Sequence, residues 1–424
     1  MCGIMVTNIG KYDGSMKHRG IRTNRINRVG LDLIHEHLPI QAYKDPIIEE
    51  NNFIVLFNGE LFVGRNDIEY LRDLFRSVKS VNEAIDTIKN VDGFYSFIII
   101  DRMNKSIVAF TDPLGKKQLY YSKLGISSEI RPHHKLKLTR DFIHSNTIVK
   151  FGYSIDDRTP FNEIKRLMPN CVYTFNYSFN IISLVHDYYT FKPCYNANTY
   201  DVIDEAVKNR LAGHEGIGML LSGGLDSSII YHHANKYIDN LKTYCVSNSD
   251  DIKYASMIDK NVESILLEYD KNALKSMEMA VDLGSMYQQY SLFKSVNETV
   301  ILTGDGADEA FGGYRRMNQY DSQYSDIFNE LPFYHNVRLD RMSMAFTKEA
   351  RSPFMSISVI EAALGLKYED RINKKHLRDS YRSILPDEIV NRAKEPLKND
   401  LIRQSTDNPS LYRQSLVKEF YDTI

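Results

Sequence analysis

Position 2 is a cysteine, followed by Gly3 and Ile4. Removal of the initiator Met would leave a thiol and a free α-amine on one residue, a nucleophile carrying its own base. Their reference pKa values, about 8.5 and about 7.7–8.0, make proton transfer between them nearly isoenergetic. Such a residue attacks an amide carbonyl when donors stabilise the oxyanion that forms. A second group suits phosphate. Leu221-Ser222-Gly223-Gly224-Leu225-Asp226-Ser227-Ser228 separates an apolar run from a helical one. Its glycines permit a tight turn and a close approach to an anion, and hydroxyls and helix-start N–H groups then grip phosphate oxygens. No Gly-Lys-Ser/Thr closes the loop, so it is not a Walker A sequence. A third group, Thr303-Gly304-Asp305-Gly306-Ala307-Asp308-Glu309, offers carboxylates after another apolar run. Mg²⁺ takes carboxylate and phosphate oxygens together, which makes Asp226 and Asp308 candidate ligands. The cluster lacks the spacing and closing Glu of an EF-hand.

Two patterns of elements must position these groups. Up to about residue 190 the chain reads as short strands at 4–7, 53–57, 94–101, 106–111 and 172–177, with a helix at 67–78. Consecutive strands of this kind predict an antiparallel α+β domain. Residues 191–199, with Pro193 and several Asn, read as a linker. Beyond 200, helices (200–211, 227–237) alternate with apolar strands (217–221, 241–246, 264–268, 299–303), which predicts a parallel sheet covered on both faces. From about 326 the pattern is mostly helical.

Length and composition agree with two cores. The chain has 424 residues, with 53 basic against 55 acidic side chains. That balance excludes a polybasic nucleic-acid surface and a disordered polyelectrolyte. No run approaches the ~18 apolar residues of a membrane span, and the N-terminus lacks the basic and apolar regions of a signal peptide. Four scattered cysteines form no CxxC pair, which argues against a zinc ribbon or disulfide scaffold. The expectation is a cytoplasmic protein with neither nucleic-acid nor membrane partners.

Cys2-Gly3-Ile4, Lys17-His18-Arg19-Gly20 and Asn58-Gly59-Glu60-Leu61 together resemble the class II glutamine amidotransferase domain of the N-terminal-nucleophile hydrolases. Alone, Asn-Gly reads as a type I′ turn. The resemblance implies that the Asn58 side chain and the Gly59 N–H form the oxyanion hole and that Asp67 binds the glutamine α-amine, although Asp67 also suits a helix N-cap. Asp112-Pro113-Leu114-Gly115, Leu119-Tyr120 and Ser128-Glu129-Ile130 match this domain as it occurs in asparagine synthetases. The Ser222–Ser228 loop is similar to the SGGxDS loop of the ATP pyrophosphatases. Gly304-Asp305-Gly306-Ala307-Asp308-Glu309 with Phe311-Gly312-Gly313-Tyr314, Asp340-Arg341, Glu349-Ala350-Arg351-Ser352-Pro353-Phe354 and Leu385-Pro386 with Arg392-Ala393-Lys394 resemble asparagine synthetase motifs.

The resemblance implies an αββα N-terminal-nucleophile hydrolase sandwich at 2–192. An adenine-nucleotide alpha-hydrolase-like α/β domain with a helical C-terminal part would follow at 200–424. Leu221, Ser222, Gly223, Gly224, Asp226, Ser227, Val246 and Gly304 would bind ATP, with Mg²⁺ on Asp226 and Asp308. Asp305 would act in the ammonia-attack step, and Lys394 would neutralise phosphate charge. From its type alone Lys394 reads as a solvated surface lysine. Glutamine hydrolysed at Cys2 would supply ammonia to an aspartyl-adenylate, and a homodimer is compatible with the family.

Two departures stand out. His37 occupies the place of the family Arg that pairs with the glutamine carboxylate, and an imidazole cannot make that bidentate pair; Arg22 and Arg25 are nearby in sequence. Met355-Ser356 replaces the family's Leu-Asp. Three other readings remain open at this level: a different carboxylate acceptor, an ammonia-dependent enzyme with a vestigial glutaminase site, and a non-catalytic nucleotide or glutamine sensor. Retention of Cys2, Asn58, Asp226 and Asp308 together opposes the sensor.

Overall fold

The computed structural model describes residues 2–8, 12–40, 45–211, 216–247, 250–279, 281, 283–393 and 409–423. In the N-terminal half the strands are β1 (Gly3–Thr7), β2 (Arg22–Arg28), β3 (Leu31–His37), β4 (Ile48–Glu50), β5 (Phe53–Leu61) and β6 (Gly93–Asp101). These are followed by β7 (Ser106–Thr111), β8 (Tyr120–Ser122), β9 (Gly125–Ser127), β10 (Lys165–Arg166), β11 (Cys171–Asn176) and β12 (Ile181–His186). They make two antiparallel sheets, ordered β10-β8-β9-β1-β3-β2 and β12-β11-β7-β6-β5-β4.

Side-chain alternation decides what each sheet covers. Ile4 and Val6 of β1 and Leu31 and Leu33 of β3 meet Ile54 and Leu56 of β5 and Ile98 and Ile100 of β6 in one apolar layer between the sheets. The alternate residues Phe53, Val55, Phe57, Phe97 and Ile99 face the helices α1 (Asp67–Ser77) and α2 (Val81–Ile88). Both helices start on side-chain caps: Asn66 accepts from the Glu69 N–H and Ser80 from the Glu83 N–H.

The C-terminal half holds β13 (Ile217–Leu220), β14 (Lys242–Val246), β15 (Glu263–Ile265), β16 (Val300–Leu302) and β17 (Glu349–Arg351). All pair in parallel, in the order β15-β14-β13-β16-β17. One face buries Met219 and Leu302 against helices that include Thr199–Leu211 and Leu225–Ala234. The other buries Tyr244, Val246 and Ile301 against Leu283–Ser295, Asn336–Met344 and Pro409–Thr423. The chain builds outward from β13 through β14 and β15, then returns to β16 on the opposite side. The crevice beyond the ends of β13 and β16 is therefore the topological switch point, where open α/β sheets bind ligands. The short strand β17 lies outside the elements read from sequence; it is a three-residue edge strand in a stretch of helical character. Preceding it, Asp326–His335 winds as a π-helix containing Pro332.

Buried ion pairs join the halves. Arg19 contacts Asp340 at 3.0 and 3.1 Å and Glu129 at 3.1 Å, and Lys117 reaches Asp340 at 2.6 Å. Arg210 holds Asp92 at 2.9 Å, and Ser356, where the family Asp is replaced, donates to Asp92 at 2.9 Å. Among the described residues no helix is long and apolar enough to cross a membrane.

Candidate active sites

Cys2 sits at the start of β1, with its side chain buried. Its backbone N–H donates to Asn58 Oδ1 at 2.9 Å, and its carbonyl accepts from Arg19 Nε at 3.1 Å. Asn58 lies on β5, so the nucleophile and its amide partner come from the two facing sheets. Asn58 Nδ2 is 3.4 Å from Ser96 Oγ. Gly59 adopts φ 140°, and a Cβ there would fall 1.9 Å from the Phe94 carbonyl oxygen, so only glycine fits. Burial pushes the Cys2 thiol up from its ordinary value; reaction therefore needs a base to take its proton.

Asp67 is not the helix cap, because Asn66 fills that position at 3.1 Å. Its buried carboxyl is held well above the ordinary carboxylate range by loss of water and by the neighbouring charge of Glu60, with Glu349 and Cys2 contributing. Glu349, fully buried on β17, carries no sequence signature of a site role beyond the Glu-Ala-Arg-Ser-Pro-Phe motif that contains it. Arg351 Nε lies 2.5 Å from it. Burial opposes its ionisation, and nearby positive charge, Arg351 included, holds its carboxyl at about 2.

His37 is buried, and loss of water pulls its imidazole down to about 3. It is neutral near pH 7 and brings no charge for a carboxylate. Of the two nearby arginines, Arg25 is committed to Asp32 at 2.8 Å, whereas Arg22 stands opposite His37 in the β2–β3 register.

The second site is a cavity of about 500 Å³ at the switch point. Leu221, Ser222, Gly224, Asp226, Ser227 and Val246 line it, with Gly304, Asp305 and Asp308 from the second loop. Gly223 is the exception in the first loop: it takes φ +64° and packs against Tyr254 and Ala255, where a Cβ would lie 2.3 Å from the Ala255 nitrogen. It makes the turn and does not line the cavity. Gly224 caps the helix Leu225–Ala234 with no side-chain hydrogen bond, which leaves the helix-start N–H groups directed at the loop. Ser222 Oγ and Ser227 Oγ are 3.2 Å apart.

Asp226 and Asp308 converge on one ammonium. Lys374 Nζ lies 2.6 Å from each carboxylate, so the pair is built around a single cation position, and the two side chains fit a Mg²⁺ ion. Among the described residues no group of three or more His, Cys, Asp or Glu side chains could hold a metal. An ion here would draw the rest of its shell from phosphate and water. Lys374 was missed because nothing in its own segment carries a motif; it reaches the site from a left-handed kink at Asn373 and Lys374. Asp305 Oδ1 faces Arg338 at 3.6 Å. Farther along the wall, Tyr314 donates to Glu309 and lies 3.1 Å from His335, which is also 3.1 Å from Glu330. The π-helix delivers Glu330 and His335, a turn geometry with no single-residue signature. Arg392 Nη1 donates to the Ser222 carbonyl at 2.9 Å. Lys394, two residues on, lies outside the described residues.

Family models divide the chain at the same place as the two sheet systems. The glutamine amidotransferase domain model matches residues 1–189, and the asparagine synthase model matches 198–333 and 319–414. Fold and sites thus define a two-site ligase with an amidotransferase half. The chain belongs to the asparagine synthase family, and it is an enzyme. It is 24% identical to a probable asparagine synthetase (glutamine-hydrolyzing) of Acanthamoeba polyphaga mimivirus, over 90% of this chain and 78% of that one. It is 23% identical to asparagine synthetase (glutamine-hydrolyzing) 1 of Lotus japonicus, over 90% and 72%, and 22% identical to the Zea mays asparagine synthetase (glutamine-hydrolyzing), over 93% and 77%.

Proposed function

We propose that this protein makes asparagine from aspartate, glutamine and ATP, with residues 2–192 as an N-terminal-nucleophile glutaminase and 200–424 as an adenine-nucleotide alpha-hydrolase-like synthetase. The Cys2 thiol, its proton taken by the α-amine, attacks the glutamine amide carbon. Asn58 Nδ2 and the Gly59 N–H receive the oxyanion, the C–N bond breaks, and ammonia leaves. Water then releases glutamate from the thioester. Asp67 suits the glutamine α-ammonium, since a cation there offsets the desolvation and the Glu60 charge that raise its carboxyl above the ordinary range. Arg22 is the better candidate for the glutamine carboxylate.

In the second site the Ser222 and Ser227 hydroxyls and the helix start hold the ATP phosphates. A Mg²⁺ ion on Asp226 and Asp308 would neutralise charge on the departing pyrophosphate. The acceptor carboxylate attacks the α-phosphorus and pyrophosphate leaves. Ammonia then attacks the acyl carbon, Asp305 taking the proton it loses, and AMP departs. Lys394 is assigned to the phosphate charge that builds during adenylation.

The observation that carries this reading is the presence in one chain of the Cys2–Asn58 pair and the Ser222–Ser228 loop, coupled by buried ion pairs. The test is product identity. Glutamine, ATP, Mg²⁺ and aspartate should yield AMP and pyrophosphate with asparagine. Formation of ADP and phosphate, or AMP only with another carboxylate, would overturn the mechanism or the acceptor respectively.

A further inference from the structure

The cavity at the switch point carries a cation of the protein's own. Lys374 lines it, and its Nζ lies 2.7 and 2.6 Å from the two carboxylate oxygens of Asp226 and 2.6 Å from Asp308 Oδ1. The lysine is buried. Asp226 directly precedes Ser227 at the start of the helix Leu225–Ala234, so the ammonium sits beside the hydroxyl and the helix-start N–H groups that suit phosphate.

The chain is shaped to keep it there. Asn373 and Lys374 both adopt left-handed backbone, at φ 53° and 55°, a conformation that residues with side chains hold only where other contacts fix it. Those contacts are the two carboxylates on Lys374 and Arg378, whose Nε donates to the Asn373 carbonyl at 2.8 Å. Arg378 also donates to the Val390 and Arg392 carbonyls, and Arg392 donates to the Ser222 carbonyl. The kink is thus tied to the phosphate loop. On its other side the lysine needs position 313 to lack a side chain. A Cβ on Gly313 would lie 2.4 Å from Lys374 Cε and 1.9 Å from Asp308 Oδ1.

A divalent ion and this ammonium exclude each other. Mg²⁺ binds carboxylate oxygens at about 2.0–2.1 Å, so an ion shared by Asp226 and Asp308 falls in the space that Nζ fills. Lys374 must then leave both carboxylates. Its flexible four-carbon stem allows the move, and the anion on hand is the polyphosphate on the Ser222–Ser228 loop. We propose that Lys374 is an exchangeable cation. It holds Asp226 and Asp308 until an ion enters with ATP, and then moves its ammonium onto the phosphate oxygens that leave as pyrophosphate. This rests on the reading of the cavity as the ATP site. The exchange keeps both carboxylates compensated throughout. It also disfavours entry of the ion alone, because the displaced ammonium then has no anion to receive it.

The test compares the full-length wild type with Lys374→Met by calorimetry, titrating Mn²⁺ alone and then pyrophosphate in saturating Mg²⁺. The variant should bind Mn²⁺ about tenfold more tightly and pyrophosphate about tenfold more weakly. Loss of a mere structural support does not move the two in opposite directions. A parallel weakening of both, or an unchanged affinity for either, overturns the proposal. Where the variant fails to fold, the wild type serves, through reductive methylation of Lys374 with formaldehyde read by mass spectrometry. The ammonium should be protected in the free protein, methylated under saturating Mn²⁺ alone, and protected again once pyrophosphate is added. Equal protection in all three states overturns the proposal. A wild type that binds no pyrophosphate in Mg²⁺ sinks the ATP-site reading and this proposal with it; one that binds pyrophosphate while Lys374 stays shielded under Mn²⁺ alone sinks this proposal alone.

Discussion

Arg19 and Asp340 form a bidentate pair at 3.0 and 3.1 Å, although 321 positions separate them in the chain, and both are buried. Breaking such a pair strands a charge out of water. Arg19→Met or Asp340→Leu should each cost about 3–5 kcal/mol. The double variant should cost clearly less than the sum, as read from urea unfolding midpoints. Additive losses would mean the two side chains do not depend on each other.

Acid should destabilise the fold well above the carboxylate range. Burial lowers His35 and His233 to about 4 and His37, His133 and His144 to about 3. An imidazole whose folded pKa lies below its unfolded value near 6.5 takes up a proton on unfolding. Its destabilising effect is absent above pH 6.5 and grows as pH falls toward the folded value. Each can contribute up to about 1.4 kcal/mol per pH unit in that window. Unfolding midpoints measured from pH 7 to 4.5 should fall steadily; a flat profile down to pH 4.5 would contradict the burial of these rings in the native state.

Gly59→Ala tests the first site sterically. Its Cβ would meet the Phe94 carbonyl at 1.9 Å in a backbone region that side chains rarely adopt. Glutamate release should drop about 10²–10³-fold, with ammonium-driven synthesis retained. Equal loss of both activities would show that the glycine serves the fold alone.

Lys374 occupies the position toward which Asp226 and Asp308 both point. Its ammonium competes with a divalent ion for the same two carboxylates. Lys374→Ala should therefore bind Mn²⁺ about tenfold more tightly without nucleotide, by calorimetry. Unchanged affinity would show that the carboxylates do not form the cation site.

Much of this was readable from residues and spacing, because the relevant physics is local. Glycines at Gly223 and Gly224, a cysteine at position 2 and apolar strand runs impose their geometry within a few residues. The parts that were not readable depend on distant partners. Lys374 acquires meaning only when a kink carries it to two other segments, and Arg19 only when Asp340 arrives. The strand Glu349–Arg351 exists because β16 offers an open edge. The same distinction explains Gly223, which the loop pattern assigned to ATP but which folding turns toward Tyr254. It explains His37 as well, where the sequence exposed the missing arginine and only burial revealed that the replacement is uncharged.

The most direct test of the account follows the glutamine nitrogen. Wild-type protein and Cys2→Ala should be incubated with ¹⁵N-amide glutamine, ATP, Mg²⁺ and aspartate, and asparagine analysed by mass. The account predicts ¹⁵N-labelled asparagine from the wild type, none from Cys2→Ala, and unlabelled asparagine from Cys2→Ala once ammonium chloride is added. Labelled asparagine from Cys2→Ala, or a wild type that uses ammonium but never glutamine, would contradict it.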